Sequence, residues 1–447
     1  MNRLRVLVLG SECHPTLVSV PFVTYSHAAA LAQLHDLTLV AGAPVADDLR
    51  RAEAPFRAIE VVRMRLLDRM RAFVMGRINP ASQIRTVLDY PFALAFEWRA
   101  WRQLRHRIFA GEFDVVLRLF PMAAVLPSPF AYFLRKGPIP FVIGPVQGGL
   151  PWPAGFSQSE REWIAGLRNL YPFLPFARST YRHAAAIIAG SSQVCIEFAV
   201  YKDKLFFIPE PGISPSLCTG DSRVSQPGTT LELIFVGGLI PRKACDVALR
   251  AAAALLRSGL ARFTVVGDGS QRKPLEELVR SLGIEKAVTF CGWVTHPEVF
   301  SRLRSADVFV FPSVRDNGAG VVFQALACGA VPVVADFGGP GDIVNDEVGY
   351  KVPLTNESEV VSRIEKILQE LASDREKLNR LRRQGVSYAR ERLTWGAKAQ
   401  CTTQVLNWVV GQSSKPNLPP PKRASVLNGE HVQGVLNAAN SPRSAIQ

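Results

Sequence analysis

The sequence has few of the residues that hold small secreted domains together. Its 447 residues include only seven cysteines, at positions 13, 195, 218, 245, 291, 328 and 401, and none forms a Cys-x-x-Cys pair. An odd and scattered set is not the pattern of a zinc site or a disulfide framework. We therefore predict reduced cysteines packed in the core of a cytoplasmic protein.

Long apolar runs are also missing. The run after Arg5 covers only Val6–Leu9, which is too short for a signal peptide and predicts a first buried strand. The most apolar stretch, 115–134, contains Arg118 and three prolines, whereas a membrane span needs about 20 apolar residues. We expect a chain that can lie on the inner face of a membrane without crossing it.

Two nucleotide-binding motifs are absent. No Gly-x-x-x-x-Gly-Lys-Ser/Thr loop occurs, which argues against a P-loop ATPase. A Rossmann dehydrogenase carries Gly-x-Gly-x-x-Gly after its first strand, but here Gly10 is followed by Ser-Glu-Cys-His.

Positive charge is abundant and unevenly distributed. The formal net charge is +14; residues 1–217 hold 24 basic and 16 acidic residues, and residues 231–400 hold 23 and 20. The stretch from Arg57 to Arg107 contains 11 arginines with interleaved aromatic residues. That stretch is open to two interpretations: a solvated basic face, or a patch that contacts an anionic membrane surface. No RNA- or DNA-binding module is recognisable, so we expect no nucleic acid partner.

Apolar strands alternate with helical patterns twice along the chain, on either side of a polar stretch. Such alternation predicts an α/β protein with parallel sheets covered by helices on both faces. We predict two doubly wound, Rossmann-like domains facing a cleft. Their bounds are 1–217 and 231–394, with a connector at 218–230, a crossover helix at 395–411 and a disordered tail at 412–447.

Three loops of the second domain follow strands, where ligands bind in such sheets. The first, 237–243, has paired glycines and Lys243, which suit a phosphate. The second, 266–269, holds Gly267 and is compatible with a plain turn. The third, 313–321, leads into a helix through Gly318 and Gly320, and its Asp316 suits sugar hydroxyls better than a phosphate. Together the loops indicate a ligand with phosphates and hydroxyls.

At these residues the chain resembles a family-4 glycosyltransferase of the GT-B fold, over about residues 4–410. The most specific segment is FVFPSVRDNGAGVVFQALACGAVPVVADFGGPGDIV, and FVGGLIPRKACD resembles the family's donor loop. AAIIAGSSQV, FIPEPGISP and GPVQGGLPWPAGF resemble further family segments in order along the chain.

The resemblance implies a retaining transferase that moves a sugar from a nucleotide-sugar donor to a saccharide or lipid-linked acceptor, in polysaccharide or glycolipid biosynthesis. It implies no cofactor and no metal. Lys243 would hold the diphosphate, Asp316 the transferred sugar and Gln324 the ribose. The base would lie near Gly292, Trp293 and Val294. The implied donor site is Gly237, Gly238, Lys243, Gly267, Gly292, Trp293, Val294, Asp316, Asn317, Gly318, Ala319, Gly320, Val321 and Gln324, with Asp316 and Lys243 as its catalytic residues.

Several site positions depart from the family pattern. Gly238 stands where the family has a phosphate-binding arginine, and Asp316 and Gln324 replace two glutamates. Ala244, Ala319 and Pro211 replace two glycines and an asparagine. A GT-B protein that has lost transfer activity and acts as a binding or regulatory partner is therefore the alternative hypothesis.

Acceptor contacts are assigned to residues that follow first-domain strands. His14 and His27 follow the first strand, and Gln147, Gly148 and Gly149 follow the strand PFVIG. For each histidine, a satisfied or solvated structural role is the competing interpretation. For Gln147, Gly148 and Gly149, the competing interpretation is an ordinary turn.

Overall fold

A computed structural model describes residues 3–17, 19–77, 84–150, 152–153, 174–218 and 224–421. Contacts divide the chain into two units. Unit 1 comprises residues 1–148, 161–210 and 398–447, and unit 2 comprises 149–160 and 211–397.

Unit 1 is built on a seven-stranded sheet. Its strands are β1 (Arg5–Gly10), β2 (Asp36–Gly42), β3 (Ala58–Val62), β4 (Val115–Phe120), β5 (Phe141–Val146), β6 (Ala186–Ala189) and β7 (Leu205–Phe207). Its helices are α1 (Val20–Leu34), α2 (Ala43–Arg51), α3 (Arg65–Met75), α4 (Ile84–Phe109), α5 (Pro129–Phe133), α6 (Ala177–His183) and α7 (Ser192–Glu197). The strand order is β3-β2-β1-β4-β5-β6-β7, and neighbouring strands pair in parallel.

Unit 2 repeats this plan with six strands. They are β8 (Leu231–Val236), β9 (Ala261–Val266), β10 (Val288–Gly292), β11 (Val308–Phe311), β12 (Val331–Ala335) and β13 (Tyr350–Val352). Its helices are α8 (Cys245–Arg257), α9 (Arg272–Ser281), α10 (His296–Ser305), α11 (Gly320–Cys328), α12 (Gly338–Ile343), α13 (Glu357–Ser373) and α14 (Arg375–Arg392). The order β10-β9-β8-β11-β12-β13 is again parallel throughout.

Burial explains why these segments are strands. The strands β1 and β11 are apolar at nearly every position, and their residues from Val6 and Val308 onward are fully buried. A strand covered by helices on both faces needs such a continuous apolar run. The two doubly wound sheets predicted from the sequence are therefore confirmed.

The boundaries between the units differ from the predicted ones. After β7 the chain passes into unit 2 between Glu210 and Pro211, not at 217, because Ile213 is buried in the unit 2 core and pairs with Thr394. A last helix, α15 (Trp395–Val409), begins in unit 2 and continues in unit 1 from Lys398.

The predicted disordered tail begins too early. Residues 412–421 are described, and the Phe207 amide donates to the Leu418 carbonyl at 2.9 Å. The remainder, 422–447, lies outside the described residues. No helix in the described ranges is long and apolar enough to cross a membrane.

A buried polar network fastens α15 to unit 1. Lys398 donates through Nζ to the backbone carbonyl of Glu210, whose carboxylate accepts from Gln147 Nε2. His27 Nε2 lies 2.9 Å from Thr402 Oγ1, which donates to the Lys398 carbonyl at 3.0 Å. Burial lowers the pKa of Lys398 to about 7, although Glu210 opposes that shift. Burial also lowers the pKa of His27 well below its usual value, so that this imidazole is neutral above pH 7.

We predict that Lys398 makes the folded chain more stable as the pH rises from about 7 towards 10. The folded-state pKa lies below the unfolded value of 10.5. In that window the unfolded chain therefore holds more protons, and the free energy of unfolding increases with pH. Urea unfolding of the wild type and of Lys398→Met, followed by circular dichroism at several pH values, measures this contribution as their difference.

That difference is expected to grow with pH, and the matched variant of an exposed lysine, Lys273→Met, should show no such trend. If the difference in the free energy of unfolding between the wild type and Lys398→Met stays constant from pH 7 to 10, the pKa of Lys398 is not lowered in the folded state, and the prediction is wrong.

Candidate active site

The strands β8 and β11 lie side by side in the second sheet although β9 and β10 intervene in the chain. The chain therefore leaves their carboxyl ends toward opposite sides, which opens the crevice where ligands bind in sheets of this kind. Two of the predicted loops follow these two strands, at 237–244 and 312–319.

Backbone contacts fasten the two loops together. The Arg242 carbonyl accepts from the Val314 amide at 2.9 Å and from Ser313 Oγ at 3.1 Å. Ser313 is fully buried, so this second bond is shielded from water. The loop after β8 is thereby held against the loop after β11.

Lys243 and Asp316 form an ion pair between these loops. Their side chains are 18% and 16% exposed, which leaves both accessible to a ligand. Lys243 Nζ also lies 5.0 Å from the centroid of the Phe311 ring. The sequence assigned the two residues to different parts of a ligand, and the structure shows that they also contact each other.

The Asp316 backbone is held by a glycine pair that the sequence reasoning left without a role. The Gly339 amide donates to the Asp316 carbonyl at 2.8 Å, and Gly338 adopts a φ of 60°. A Cβ on Gly338 would collide with that carbonyl, so a side chain is excluded there. The adjacent Gly-Gly in the family-like segment was the available sequence signal.

The start of α11 presents backbone amides beside this ion pair. Asp316 Oδ1 accepts from the Ala319 amide at 3.2 Å, which sets the turn into the helix. The amides of Gly320 and Val321 precede the first intrahelical donors, and among the described residues none accepts from them. Gly318 and Gln324 are partly exposed at the same helix end. Such a helix start attracts negative charge.

Gly267 has a packing role. Its amide donates to the Gly292 carbonyl at 2.9 Å, and a Cβ at this position would collide with the Gly237 carbonyl. The Gly267 amide is therefore already hydrogen-bonded within unit 2. Beyond Gly292, the Trp293 side chain is 73% exposed and Val294 packs against the core.

Gly238 faces open space. No heavy atom lies within 4 Å of the position that a Cβ would take, and its φ is not in the left-handed region. The residue is thus not required as a glycine by either packing or backbone conformation.

Three of the five predicted acceptor residues have structural partners instead. His27 has no solvent exposure and bonds Thr402. His14 is 8% exposed, with Nε2 at 3.1 Å from Asp48 and Nδ1 accepting the Leu17 amide at 3.1 Å. The Gln147 side chain bonds Glu210. We therefore leave all three out of the proposed site.

The remaining two acceptor residues are a pair of glycines. Gly148 lies so close to Val194 that a Cβ would approach its Cγ2 to 3.0 Å. Gly149 is assigned to unit 2. In the described part of the chain, no cluster of three or more His, Cys, Asp or Glu side chains is placed to hold a metal ion.

Comparison with solved structures identifies the fold class. Anabaena HepE in complex with UDP superposes with a TM-score of 0.60, covering 91% of this chain and all of HepE at 15% identity. The lipopolysaccharide outer core galactosyltransferase WaaB gives a TM-score of 0.57, covering 90% of this chain and 99% of WaaB at 12% identity. Both likenesses show the shared GT-B fold.

Sequence comparison adds a match to a family model within the second unit. Residues 221–387 match the family described as Glycosyl transferases group 1. The D-inositol 3-phosphate glycosyltransferase of Kineococcus radiotolerans is 34% identical over 155 residues, which are 32% of this chain and 35% of that protein. The chain spans about a third of the length of the curated relatives it matches.

Two alanines at the site adopt a conformation that favours glycine. Ala244 and Ala319 have φ values of 52° and 48° and precede the first turns of α8 and α11. Left-handed backbone costs an L-residue about 1–2 kcal/mol. These are two of the positions where the resembled family has glycine.

We predict that Ala319→Gly raises the free energy of unfolding by up to about 1 kcal/mol, because glycine adopts this conformation without a Cβ clash. The matched variant Ala325→Gly, inside α11, should lower it by about 1 kcal/mol. Urea unfolding monitored by circular dichroism compares the two. Equal losses in both variants would contradict the strained backbone at Ala319.

Proposed function

We propose that this protein is a retaining glycosyltransferase that uses a nucleotide-sugar donor. The observation that carries the proposal is the Lys243–Asp316 pair beside the open amides of α11, at the switch point of the second sheet. The match of residues 221–387 to Glycosyl transferases group 1 supports the same reaction class.

The charges at the site suit departure of a nucleoside diphosphate. As the sugar–phosphate bond breaks, negative charge grows on the diphosphate, and a preorganised cation and backbone amides stabilise it. Lys243 and the amides of Gly318, Gly320 and Val321 supply those groups. The departing phosphate can itself accept the proton of the acceptor hydroxyl, so the scheme needs no protein nucleophile and no metal.

Asp316 performs two tasks in this scheme. Its carboxylate neutralises Lys243 and accepts a hydrogen bond from the Ala319 amide. When a donor is bound, the diphosphate takes over the neutralisation, and the carboxylate is released to accept hydrogen bonds from the transferred sugar. Asn317 is a further donor-side residue of this loop. Gln324 contacts the ribose, and the base lies beside Gly292–Val294, where the exposed Trp293 ring offers an aromatic surface.

The choice of donor and acceptor class follows from the relatives. HepE has been solved with UDP and with UDP-glucose, so these are the first ligands to test. WaaB is named as a lipopolysaccharide galactosyltransferase. By analogy with it, we propose a saccharide or lipid-linked acceptor in polysaccharide or glycolipid assembly, on the cytoplasmic side of the membrane.

We predict that Lys243→Ala lowers donor hydrolysis or transfer by about 10²–10³-fold, because it removes a charge aligned with the leaving group. Asp316→Asn should weaken the same activity while retaining UDP binding, since the cation and amides that hold the phosphates remain. Titration calorimetry with UDP and UDP-glucose, followed by an assay of released UDP, measures both steps.

Lys273→Ala, which removes an exposed lysine from α9, is the charge-matched control and should behave as the wild type. Binding of UDP-sugars without turnover in the presence of any acceptor would favour the alternative, a GT-B protein that binds but does not transfer. Absence of both binding and hydrolysis across a nucleotide-sugar panel would refute the proposal.

We further predict that Gly238→Arg tightens UDP binding about tenfold, because charge-assisted hydrogen bonds are the stronger class. No heavy atom lies within 4 Å of the position of the added Cβ, so the new side chain begins in open space. Gly238→Met, similar in length but uncharged, should leave the affinity unchanged in the same titration. An equal effect of arginine and methionine would show that the restored charge does not reach the phosphates.

A further inference from the structure

The helix α3 has an apolar stripe that faces solvent. Leu66, Met70 and Phe73 are 71%, 49% and 62% exposed. Their spacing of four and three residues places them on one side of the helix. A stripe of large apolar side chains in water is unfavourable unless another surface covers it.

The opposite side of α3 already has its packing partners. Met75 is buried, and Leu67 packs against the unit 1 core. Arg71 pairs with Asp89 at 2.5 Å and also with Glu12, and its pKa is raised by these partners. The exposed stripe is therefore a second apolar face and not the side that attaches the helix to the unit.

The exposed charged residues of α3 and of the two residues that follow it are arginines. Arg65 and Arg69 are exposed beside it, and the Arg77 guanidinium stacks 3.5 Å from the centroid of the Phe73 ring. The only acidic residue within α3 is Asp68, whose carboxylate accepts the Met64 amide at 3.2 Å at the start of the helix. An apolar stripe flanked by arginines complements a surface that has an apolar interior and anionic groups at its boundary with water.

We propose that α3 docks the protein on an anionic lipid bilayer, with Leu66, Met70 and Phe73 in the acyl boundary and Arg65, Arg69 and Arg77 among the headgroups. Helices of this composition lie in the interface plane and are attracted by anionic lipids. Within the basic stretch at 57–107, the membrane contact is thus made by α3 together with Arg77. Arg71 instead stabilises the fold of unit 1 through its ion pairs. It does not depend on the transfer reaction.

The test is co-sedimentation of the full chain with vesicles of phosphatidylcholine alone and of phosphatidylcholine mixed with phosphatidylglycerol. The wild type should bind the anionic vesicles and release them as salt is raised. Leu66→Ser/Met70→Ser/Phe73→Ser, which keeps the net charge, should lower the affinity at least about tenfold because the inserted apolar area is lost. Arg65→Glu/Arg69→Glu should lower it by a similar factor, because each arginine near an anionic surface contributes to binding.

Arg262→Glu/Arg380→Glu is the matched charge control, since both are exposed arginines in unit 2, and it should bind as the wild type. The circular dichroism melting temperature shows that each variant is folded. Three outcomes would overturn the proposal: wild-type binding by the serine variant, equal loss in the unit 2 control, or a wild-type dimer in the ultracentrifuge that the serine variant abolishes. No outcome depends on donor turnover, so failure here is distinct from failure of the proposed reaction.

Discussion

The candidate site depends on the close attachment of two loops to each other. Neighbouring parallel strands deliver their loops to one edge of the sheet, but this alone leaves the two loops free to move relative to each other. The Arg242 carbonyl, which accepts from both Val314 and Ser313, removes that freedom. Lys243, the next residue, is thereby placed where Asp316 can neutralise it.

Electrostatics then explains why both charged residues can occupy a partly buried position. An isolated charge at such depth pays a desolvation penalty, and a paired one recovers part of it. The same pairing positions the ammonium for a diphosphate and the carboxylate for hydroxyls. The glycines at 338 and 339 contribute by letting α12 pack directly on the Asp316 backbone.

Backbone conformation distinguishes two of the positions at which this chain departs from the pattern of the resembled family. At Ala244 and Ala319 the tertiary structure imposes left-handed φ values even though the residues carry a Cβ. Gly238 shows the reverse case, because nothing in the fold requires glycine there. The departures at the site therefore differ in physical kind. At Ala244 and Ala319 the backbone conformation favours glycine, whereas at Gly238 neither packing nor conformation requires it.

The alternation of apolar strands and helices was enough to predict both sheets and the two loops that flank the switch point, because continuous burial demands continuous apolar runs. The sequence also predicted that Lys243 and Asp316 lie in the loops after those strands, and the structure shows both in these loops. What only the tertiary structure decided was which side chains are already engaged. His27 with Thr402, Gln147 with Glu210 and Arg71 with Asp89 are contacts between distant parts of the chain. Residue type and local spacing carry no information about a partner that lies 18 to 375 residues away. For the same reason, the apolar spacing in α3 is the same as that of a helix whose apolar side faces the core. Only the tertiary packing shows that this stripe faces solvent.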